Sequence, residues 1–235
     1  MAGPRFFVVV VAAGVGERMN LATPKQYLPV LGKPVLAHTL EIFENCAEIE
    51  EVVPVINVLH EDLFMRQIWN KYSYRKVRRY VFGGARRQDS VYQGLLAFKE
   101  YRDDFVLVHD GVRPLLDRAT LRRCLQGLRE HEAVCCAVPC VDTLKWTEDG
   151  KVIRETLDRK KIWRAQTPQG FRIGLLWEAL QCAEKDGFWG TDDASLVERL
   201  GKTVYLVVGS EDNLKITTPQ DLLFAEERLR WRKES

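Results

Sequence analysis

The sequence has no long apolar run and no excess of charge of either sign. Its first apolar stretch, over residues 8–13, is far shorter than the roughly 20 residues needed to cross a bilayer. The first seven residues lack the apolar run and small-residue cleavage site of a secretory signal. Lysine and arginine number 35 against 33 aspartates and glutamates, so no overall field favours nucleic acid or a membrane surface. We therefore expect a cytoplasmic protein with neither of these as a partner.

Paired metal-ligand spacings are also missing. None of the six cysteines belongs to a C-x-x-C pair, and their spacing does not match a disulfide-rich scaffold. Cys135 and Cys136 lie in the apolar run 133–138, where cysteine behaves as a small buried hydrophobe. The four histidines form no H-x-x-x-H pair. Only His109 draws attention, because it adjoins Asp110 at the end of a predicted strand.

Apolar runs alternate with helical patterns along the chain. Strands are predicted over 6–13, 52–58, 105–109, 133–138 and 204–208. Helices are predicted from Pro34, over 63–72, 90–98, 121–128 and 175–183, and from Pro219, with Thr218 and Asp221 as caps. Such alternation is typical of an α/β protein with a Rossmann-like, mostly parallel sheet flanked by helices. With no repeat and no low-complexity linker, the sequence predicts one domain over residues 1–235.

One segment departs from this alternation of strands and helices. Two short extended runs, 143–146 and 152–156, surround Asp149-Gly150, which is a hairpin turn signal. A two-stranded ribbon is marginally stable alone. We therefore predict a β-arm over about 140–168 that packs on a partner subunit, and hence a homodimer.

The chemistry-bearing signal follows the first strand, where Gly14 and Gly16 permit close approach of a phosphate to the backbone. The third glycine of a dinucleotide-binding loop is absent, since position 19 is Met19, and there is no G-K-[ST] of a P-loop. Two cations, Arg18 and Lys25, follow instead. Fixed positive charges of this kind suit a reaction that accumulates negative charge at phosphorus.

Seven spaced motifs extend this pattern through almost the whole chain. They are A-A-G-x-G-x-R-M with P-K-Q-Y (12–27), G-G-x-x-R-x-x-S-V (83–91), V-H-D-x-x-R-P (108–114), D-T (142–143), D-R with Q-T-P-Q (158–169), T-D-D-A-S (191–195) and D-N-L-K-I-T (212–217). In this order they resemble the 2-C-methyl-D-erythritol 4-phosphate cytidylyltransferase family. One departure is Gly111-Val112, where that family usually has alanines.

The resemblance implies a nucleotidyltransferase that moves CMP from CTP to 2-C-methyl-D-erythritol 4-phosphate. The products are 4-diphosphocytidyl-2-C-methyl-D-erythritol and pyrophosphate, in non-mevalonate isoprenoid biosynthesis. It implies catalytic roles for Arg18, Lys25, Arg159 and Lys215. It implies CTP binding by Ala12, Ala13, Gly14, Gly16, Gly84, Asp89, Ser90 and Gly111. It implies binding of the acceptor phosphate by Arg113, Thr143, Thr167 and Thr191, with Thr143 and Arg159 serving the neighbouring subunit.

The resemblance also implies Mg²⁺, or another divalent cation, on Asp110. The position of Asp110 at the carboxyl end of a predicted parallel strand supports this independently, because ligands bind at that edge. Asp212 is a weaker candidate for a second carboxylate. Four further arginines and the closing basic run are predicted to be solvated surface: Arg86, Arg87, Arg122, Arg123 and Arg228–Lys233.

Two alternatives stay open. A ribitol-5-phosphate cytidylyltransferase would share fold, CTP and mechanism, but that branch more often shows A-G-G than the A-A-G of residues 12–14. An inactive nucleotide-binding regulatory protein would be expected to lose a catalytic cation or the metal carboxylate, yet Arg18, Lys25, Asp110 and Lys215 are all present.

Overall fold

The computed structural model describes residues 3–14 and 23–234 of the chain. Its strands are β1 (Phe6–Ala12), β2 (Pro29–Val30), β3 (Lys33–Pro34), β4 (Ile49–Ile56), β5 (Val81–Phe82), β6 (Phe105–Asp110), β7 (Ala133–Pro139), β8 (Lys145–Trp146), β9 (Glu155–Thr156), β10 (Trp163–Arg172) and β11 (Tyr205–Val208). Its helices are α1 (Val35–Glu44), α2 (Glu61–Phe64), α3 (Arg87–Leu96), α4 (Arg118–Glu130), α5 (Ile173–Lys185), α6 (Asp193–Arg199) and α7 (Pro219–Glu234). A π-helical turn, Met65–Trp69, extends α2.

Seven of these strands form the central sheet, in the order β11-β7-β10-β6-β1-β4-β5. All neighbouring pairs are parallel except those of β10, which runs antiparallel to both β6 and β7. The predicted Rossmann-like, mostly parallel α/β architecture is therefore confirmed.

The core lies on both faces of the sheet, because β1 is a continuous apolar strand whose side chains alternate in direction. Val8 and Val10 face one cluster, which the helices α1 and α4 complete. Val9 faces the other cluster, which is completed by α3 and α5. The sheet is thus covered on both sides, and only its edges and strand ends remain for function.

Besides the two-residue strands β2, β3 and β5, two longer elements of the described chain were not predicted, β10 and α6. Strand β10 contains Gln166, Pro168 and Gln169, which interrupt any apolar alternation. These glutamines are nevertheless buried, because their amides are hydrogen-bonded to Ser210 and Asp192. Helix α6 spans only seven residues, too few for a clear helical period.

The cap of the last helix and the state of the cysteines agree with prediction. The Asp221 carboxylate accepts the backbone N–H groups of Thr217 and Thr218, each at 2.7 Å. All six cysteines are free, and four are buried. Burial raises the pKa of the Cys135 thiol to about 12, which keeps it protonated, as expected for a packing residue.

The predicted arm is present as an exposed ribbon in which β8 pairs with β9 in antiparallel fashion. Gly150 has φ +72° in the turn of this ribbon. The Asp149 carboxylate accepts the N–H groups of Lys151 and Val152. The arm is shorter than the predicted 140–168. Its far end belongs to the central sheet, because β10 begins at Trp163 and residues 166–171 are buried.

The ribbon presents large apolar side chains to solvent. Val141, Trp146, Val152 and Ile153 are all exposed. Elsewhere, no helix in the described part of the chain is both long enough and apolar enough to cross a membrane.

Candidate active site

A cavity of about 340 Å³ opens at the carboxyl ends of β1 and β6, where ligands of open α/β sheets bind. Five segments line it: the end of β1 with the start of the glycine loop that follows it, the turn at Lys25, the start of α3, the loop after β6 and the loop after β11. The lining residues are Val11, Ala12, Ala13, Gly14, Lys25, Gln26, Gly84, Ala85, Arg86, Arg87, Ser90, Asp110, Val112 and Lys215.

Asp110 is the electrostatic centre of this cavity. Its carboxylate lies 3.4 Å from Arg87, 3.3 Å from Arg113 and 3.1 Å from the Lys215 ammonium. Burial alone would raise the pKa of Asp110, but the charges of Arg87, Lys215 and Arg113 outweigh it and hold the pKa well below its ordinary value. Asp110 is therefore a permanent anion at neutral pH.

Arg87 is not the surface residue that the sequence predicted. Its guanidinium bridges Asp110 to Asp193, with its Nη2 at 2.8 Å from the Asp193 Oδ2. Asp193 is 1% exposed, and its burial raises the pKa of the carboxyl, although Arg87 opposes this. Because Arg87 and Asp193 lie in separate motifs, only the fold brings them together.

Arg86, the preceding residue, is exposed but stacks on Trp189, with its Cζ 3.3 Å from the ring centroid. Gln88 accepts the Gly190 N–H at 3.1 Å. These contacts tie the loop before α6, which carries Thr191, to the start of α3.

His109 is buried beneath Asp110. Its Nδ1 lies 3.0 Å from the Thr167 hydroxyl, and its Nε2 lies 3.1 Å from the Arg113 carbonyl. Burial lowers the pKa of His109 to about 4, so the ring is neutral at pH 7. A carbonyl can only accept, so we assign the ring proton to Nε2, and Nδ1 must then accept the Thr167 hydrogen.

This assignment fixes the role of the Thr167 hydroxyl, which also accepts the Asp110 N–H at 3.0 Å. Its single hydrogen is directed at His109. A phosphate dianion needs a donor, and this side chain has none left for it. The direct contact with the acceptor phosphate predicted for Thr167 is therefore not what this geometry favours.

The buried ring makes stability depend on pH. The folded pKa of His109 is below its ordinary value, so the unfolded chain takes up the proton first as pH falls. The stabilisation by this group is therefore complete above about pH 6.5 and declines between 6.5 and 4. Between pH 7 and 5 the loss should be about 2 kcal/mol. Urea unfolding at both pH values measures the free energy of unfolding of the wild type and of His109→Asn, whose side chain does not titrate. The difference between the two pH dependences is the contribution of His109. An equal pH dependence in both proteins would contradict this prediction.

Those predicted CTP-binding residues that the structure describes divide into two groups, one that lines the cavity and one with structural contacts. Ala12, Ala13, Gly14, Gly84 and Ser90 line the cavity. Gly16 lies outside the described residues, as does the catalytic candidate Arg18.

Asp89 and Gly111 instead have structural contacts. The Asp89 carboxylate accepts the Arg86 N–H at 3.0 Å and so caps α3. A Cβ on Gly84 would lie 2.4 Å from the Asp89 Cβ, so only glycine fits there. A Cβ on Gly111 would lie 2.9 Å from that of Ala12, so this glycine serves close packing, and its neighbour Val112 lines the cavity.

The residues predicted for the acceptor side are dispersed. Arg113 is fixed by the Asn213 carbonyl at 2.7 Å and by Asp110. Thr143 and Thr191 are exposed, and Arg159, on the arm, donates to the Val141 carbonyl at 2.7 Å. Neither threonine nor Arg159 is among the described residues that line the cavity. The remaining carboxylate candidate, Asp212, pairs with Arg228 at 3.0 Å and does not line it either.

Glycine-loop backbone, two lysines and a buried, ionised aspartate at this edge of an α/β sheet define a nucleotide-binding enzyme site. A family model described as IspD, 2-C-methyl-D-erythritol 4-phosphate cytidylyltransferase, matches residues 6–231. The chain belongs to this cytidylyltransferase family, as its motifs predicted.

Individual relatives agree. The protein of that name from Clostridioides difficile is 41% identical over 228 residues, covering 97% of this chain and 95% of the relative. The one from Syntrophus aciditrophicus is 45% identical, covering 95% of each. Among solved structures, 4-diphosphocytidyl-2C-methyl-D-erythritol synthase from Anaerococcus prevotii superposes with a TM-score of 0.85 at 32% identity, covering 97% of this chain and 100% of its own. The Thermus thermophilus cytidylyltransferase gives 0.74 at 32% identity, with the same coverage.

Proposed function

We propose that this chain transfers CMP from CTP to 2-C-methyl-D-erythritol 4-phosphate and releases pyrophosphate, as the names of its relatives indicate. The observation that carries the proposal is the ionised Asp110, held beside Lys215 in a cavity that Lys25 and the glycine loop also line. Lys25, Asp110 and Lys215 are all retained there, which argues against the inactive regulatory protein.

The reaction needs no general base. A phosphate monoester is ionised at pH 7, so one of its oxygens can attack the α-phosphorus of CTP directly. The bond from that phosphorus to the β-phosphate oxygen breaks, and pyrophosphate leaves with the electron pair. Lys25 and Lys215, which line the same cavity from different segments of the chain, would neutralise the growing charge, together with Arg18 by resemblance.

The residues present fit a divalent cation. Mg²⁺ in nucleotide enzymes is usually held by one or two carboxylates together with substrate phosphates. The described residues contain no cluster of three His, Cys, Asp or Glu side chains that would form a protein-only cage. Asp110 would hold the ion with the triphosphate, and the ion would supply charge neutralisation at the phosphates.

The base would be read at the start of α3. The Ser90 hydroxyl donates to the Arg86 carbonyl at 3.0 Å, so its oxygen is left as an acceptor in the cavity wall. An acceptor suits the amino group of cytosine and opposes the keto oxygen of uracil. We therefore expect Ser90 to favour CTP over UTP.

The test is a pyrophosphate-release assay with each nucleotide and acceptor. Turnover is expected with CTP and 2-C-methyl-D-erythritol 4-phosphate, and at least tenfold less with UTP, ATP or GTP, because a misplaced polar group costs about 1.4 kcal/mol or more. Ribitol 5-phosphate is the competing acceptor. Equal or faster turnover with it would replace the proposed substrate, and no turnover with any acceptor would favour the binding protein.

The homodimer is the second part of the proposal. Trp146, Val152 and Ile153 form an exposed apolar surface on a ribbon of two residues per strand, which usually marks an interface. The same arm carries Thr143 and Arg159. We propose that each arm packs on its mate and brings these two side chains to the acceptor phosphate there.

Mixing two inactive variants tests this arrangement. Lys25→Ala and Arg159→Ala are unfolded and refolded together so that their subunits exchange. With random exchange, half of the dimers contain one subunit of each variant, and one of the two sites in each mixed dimer is intact. About a quarter of all sites should therefore be active. Sedimentation confirms the dimer. A monomer, or no recovery despite demonstrated exchange, would reject the shared site.

A further inference from the structure

The carbonyl oxygens of the glycine loop are held by two side-chain amides. The Gln26 Nε2 donates to the Ala12 carbonyl at 2.8 Å and to the Gly14 carbonyl at 2.9 Å. The Asn57 Nδ2 donates to the Ala13 carbonyl at 3.1 Å. Three successive carbonyl groups, those of Ala12, Ala13 and Gly14, thus accept from neutral donors of the protein. We propose that Gln26 and Asn57 are positioning residues that orient this backbone to receive the triphosphate.

The direction of each carbonyl group determines the direction of the N–H group that follows it. In a trans peptide the C=O and the following N–H point in opposite directions. Holding the Ala12 and Ala13 carbonyls therefore directs the N–H groups of Ala13 and Gly14 away from the two amides. Both residues line the cavity. A phosphate there meets N–H donors, whereas a rotated peptide would offer it a carbonyl oxygen and repel it.

The Gln26 amide is not needed to form its own local structure. The turn that contains Gln26 is closed by backbone bonds, Tyr27 N–H to the Pro24 carbonyl at 2.9 Å and Leu28 N–H to the Lys25 carbonyl at 3.2 Å. The Gln26 side chain is free to act on the loop, and it is 1% exposed. The same turn thus supplies both the Lys25 cation and the Gln26 amide that holds the glycine loop.

Asn57 is fixed in orientation by its second bond. Its Oδ1 accepts the Leu59 N–H at 2.9 Å, so its NH₂ group must face the Ala13 carbonyl. Asn57→Asp is therefore a selective change. The aspartate keeps the acceptor for Leu59 but loses the donor to Ala13 and sets a carboxylate against that carbonyl.

The experiment rests on the proposed function for its ligand and measures CTP binding separately from turnover. For Asn57→Asp, and for the near-isosteric Gln26→Met, the Kd of CTP by calorimetry and the KM of CTP should rise about tenfold or more. The KM of the acceptor should stay within about twofold, because its phosphate is proposed to be held elsewhere. Asn45→Asp, an exposed asparagine after α1, is the matched control and should bind CTP as the wild type does.

The outcomes distinguish a positioning role of Gln26 and Asn57 from a general structural role. A higher Kd of CTP, together with an unchanged unfolding midpoint and an unchanged KM of the acceptor, supports the inference. A wild-type Kd in both variants overturns it, as does a parallel loss of stability and of affinity for both substrates, which a general structural role would give. If Gln26→Met fails to fold, the half-buried Asn57→Asp alone decides. A wild type that neither binds CTP nor turns over would instead reject the proposed function.

Discussion

Replacing Arg87 with methionine is expected to lower the free energy of unfolding by about 3–5 kcal/mol at pH 7, the usual cost of removing one partner from a buried ion pair. Arg87 neutralises Asp193 at 2.8 Å and contributes to the charge around Asp110 at 3.4 Å. Methionine replaces the aliphatic part of the arginine side chain and removes only the charged guanidinium. The loss would therefore come from two buried carboxylates left with less compensation.

Urea unfolding measures this loss, and Arg86→Met is the matched control. The Arg86 side chain is exposed and stacks on Trp189, so its replacement should cost no more than about 1 kcal/mol. The double variant Arg87→Met, Asp193→Asn should recover part of the stability, since one unpaired charge has gone. Equal effects at positions 86 and 87 would mean that Arg87 is a surface residue after all.

The same substitution carries a pH signature. Burial already raises the pKa of Asp193 in the folded chain, with Arg87 opposing it. Without Arg87, the folded state should bind a proton at Asp193 more tightly than the unfolded state. Stability then falls as pH rises through the folded pKa, so the deficit of Arg87→Met should be smaller at pH 5 than at pH 7. The double variant should lose this dependence.

Asp110→Asn is expected to reduce kcat/KM on the order of 100-fold or more while the chain stays folded. Asparagine has the same shape but no charge, so it binds a divalent cation poorly and no longer orients Lys215, which lies 3.1 Å away. Arg87, Arg113 and Lys215 would also repel one another without their common anion. The rate should be assayed across a range of Mg²⁺ concentrations, because excess metal would restore part of a binding defect.

Asp212→Asn discriminates this site from the other carboxylate candidate. Asp212 pairs with Arg228 at 3.0 Å and does not line the cavity, so its loss should change kcat/KM by less than about threefold. A large loss at position 212 with a mild one at position 110 would transfer the metal site to Asp212. Circular dichroism and the unfolding midpoint of both variants exclude a folding defect.

The sheet could be predicted because most of its strands are buried on both faces. Strands β1, β4 and β7 (FFVVVVA, IEEVVPVI and AVCCAVP) consist mainly of apolar residues, and such runs are visible in the sequence without knowledge of their strand partners. Strand β10 could not be predicted in this way, because its buried glutamines are stable only where Ser210 and Asp192 supply hydrogen bonds. Those partners lie 44 and 23 residues away in the chain.

The sequence alone determined the fold class, the family and the cavity residues Lys25, Asp110 and Lys215, because each stands in a motif with a distinctive spacing. Only the tertiary structure decided between the adjacent arginines. Arg86 and Arg87 are chemically identical, but they leave the start of α3 in different directions, one to Trp189 and one to Asp193 and Asp110. The tertiary structure also directed the Thr167 hydrogen to His109. Hydrogen-bond direction and ion pairing depend on atoms brought together by folding, and spacing along the chain does not encode them.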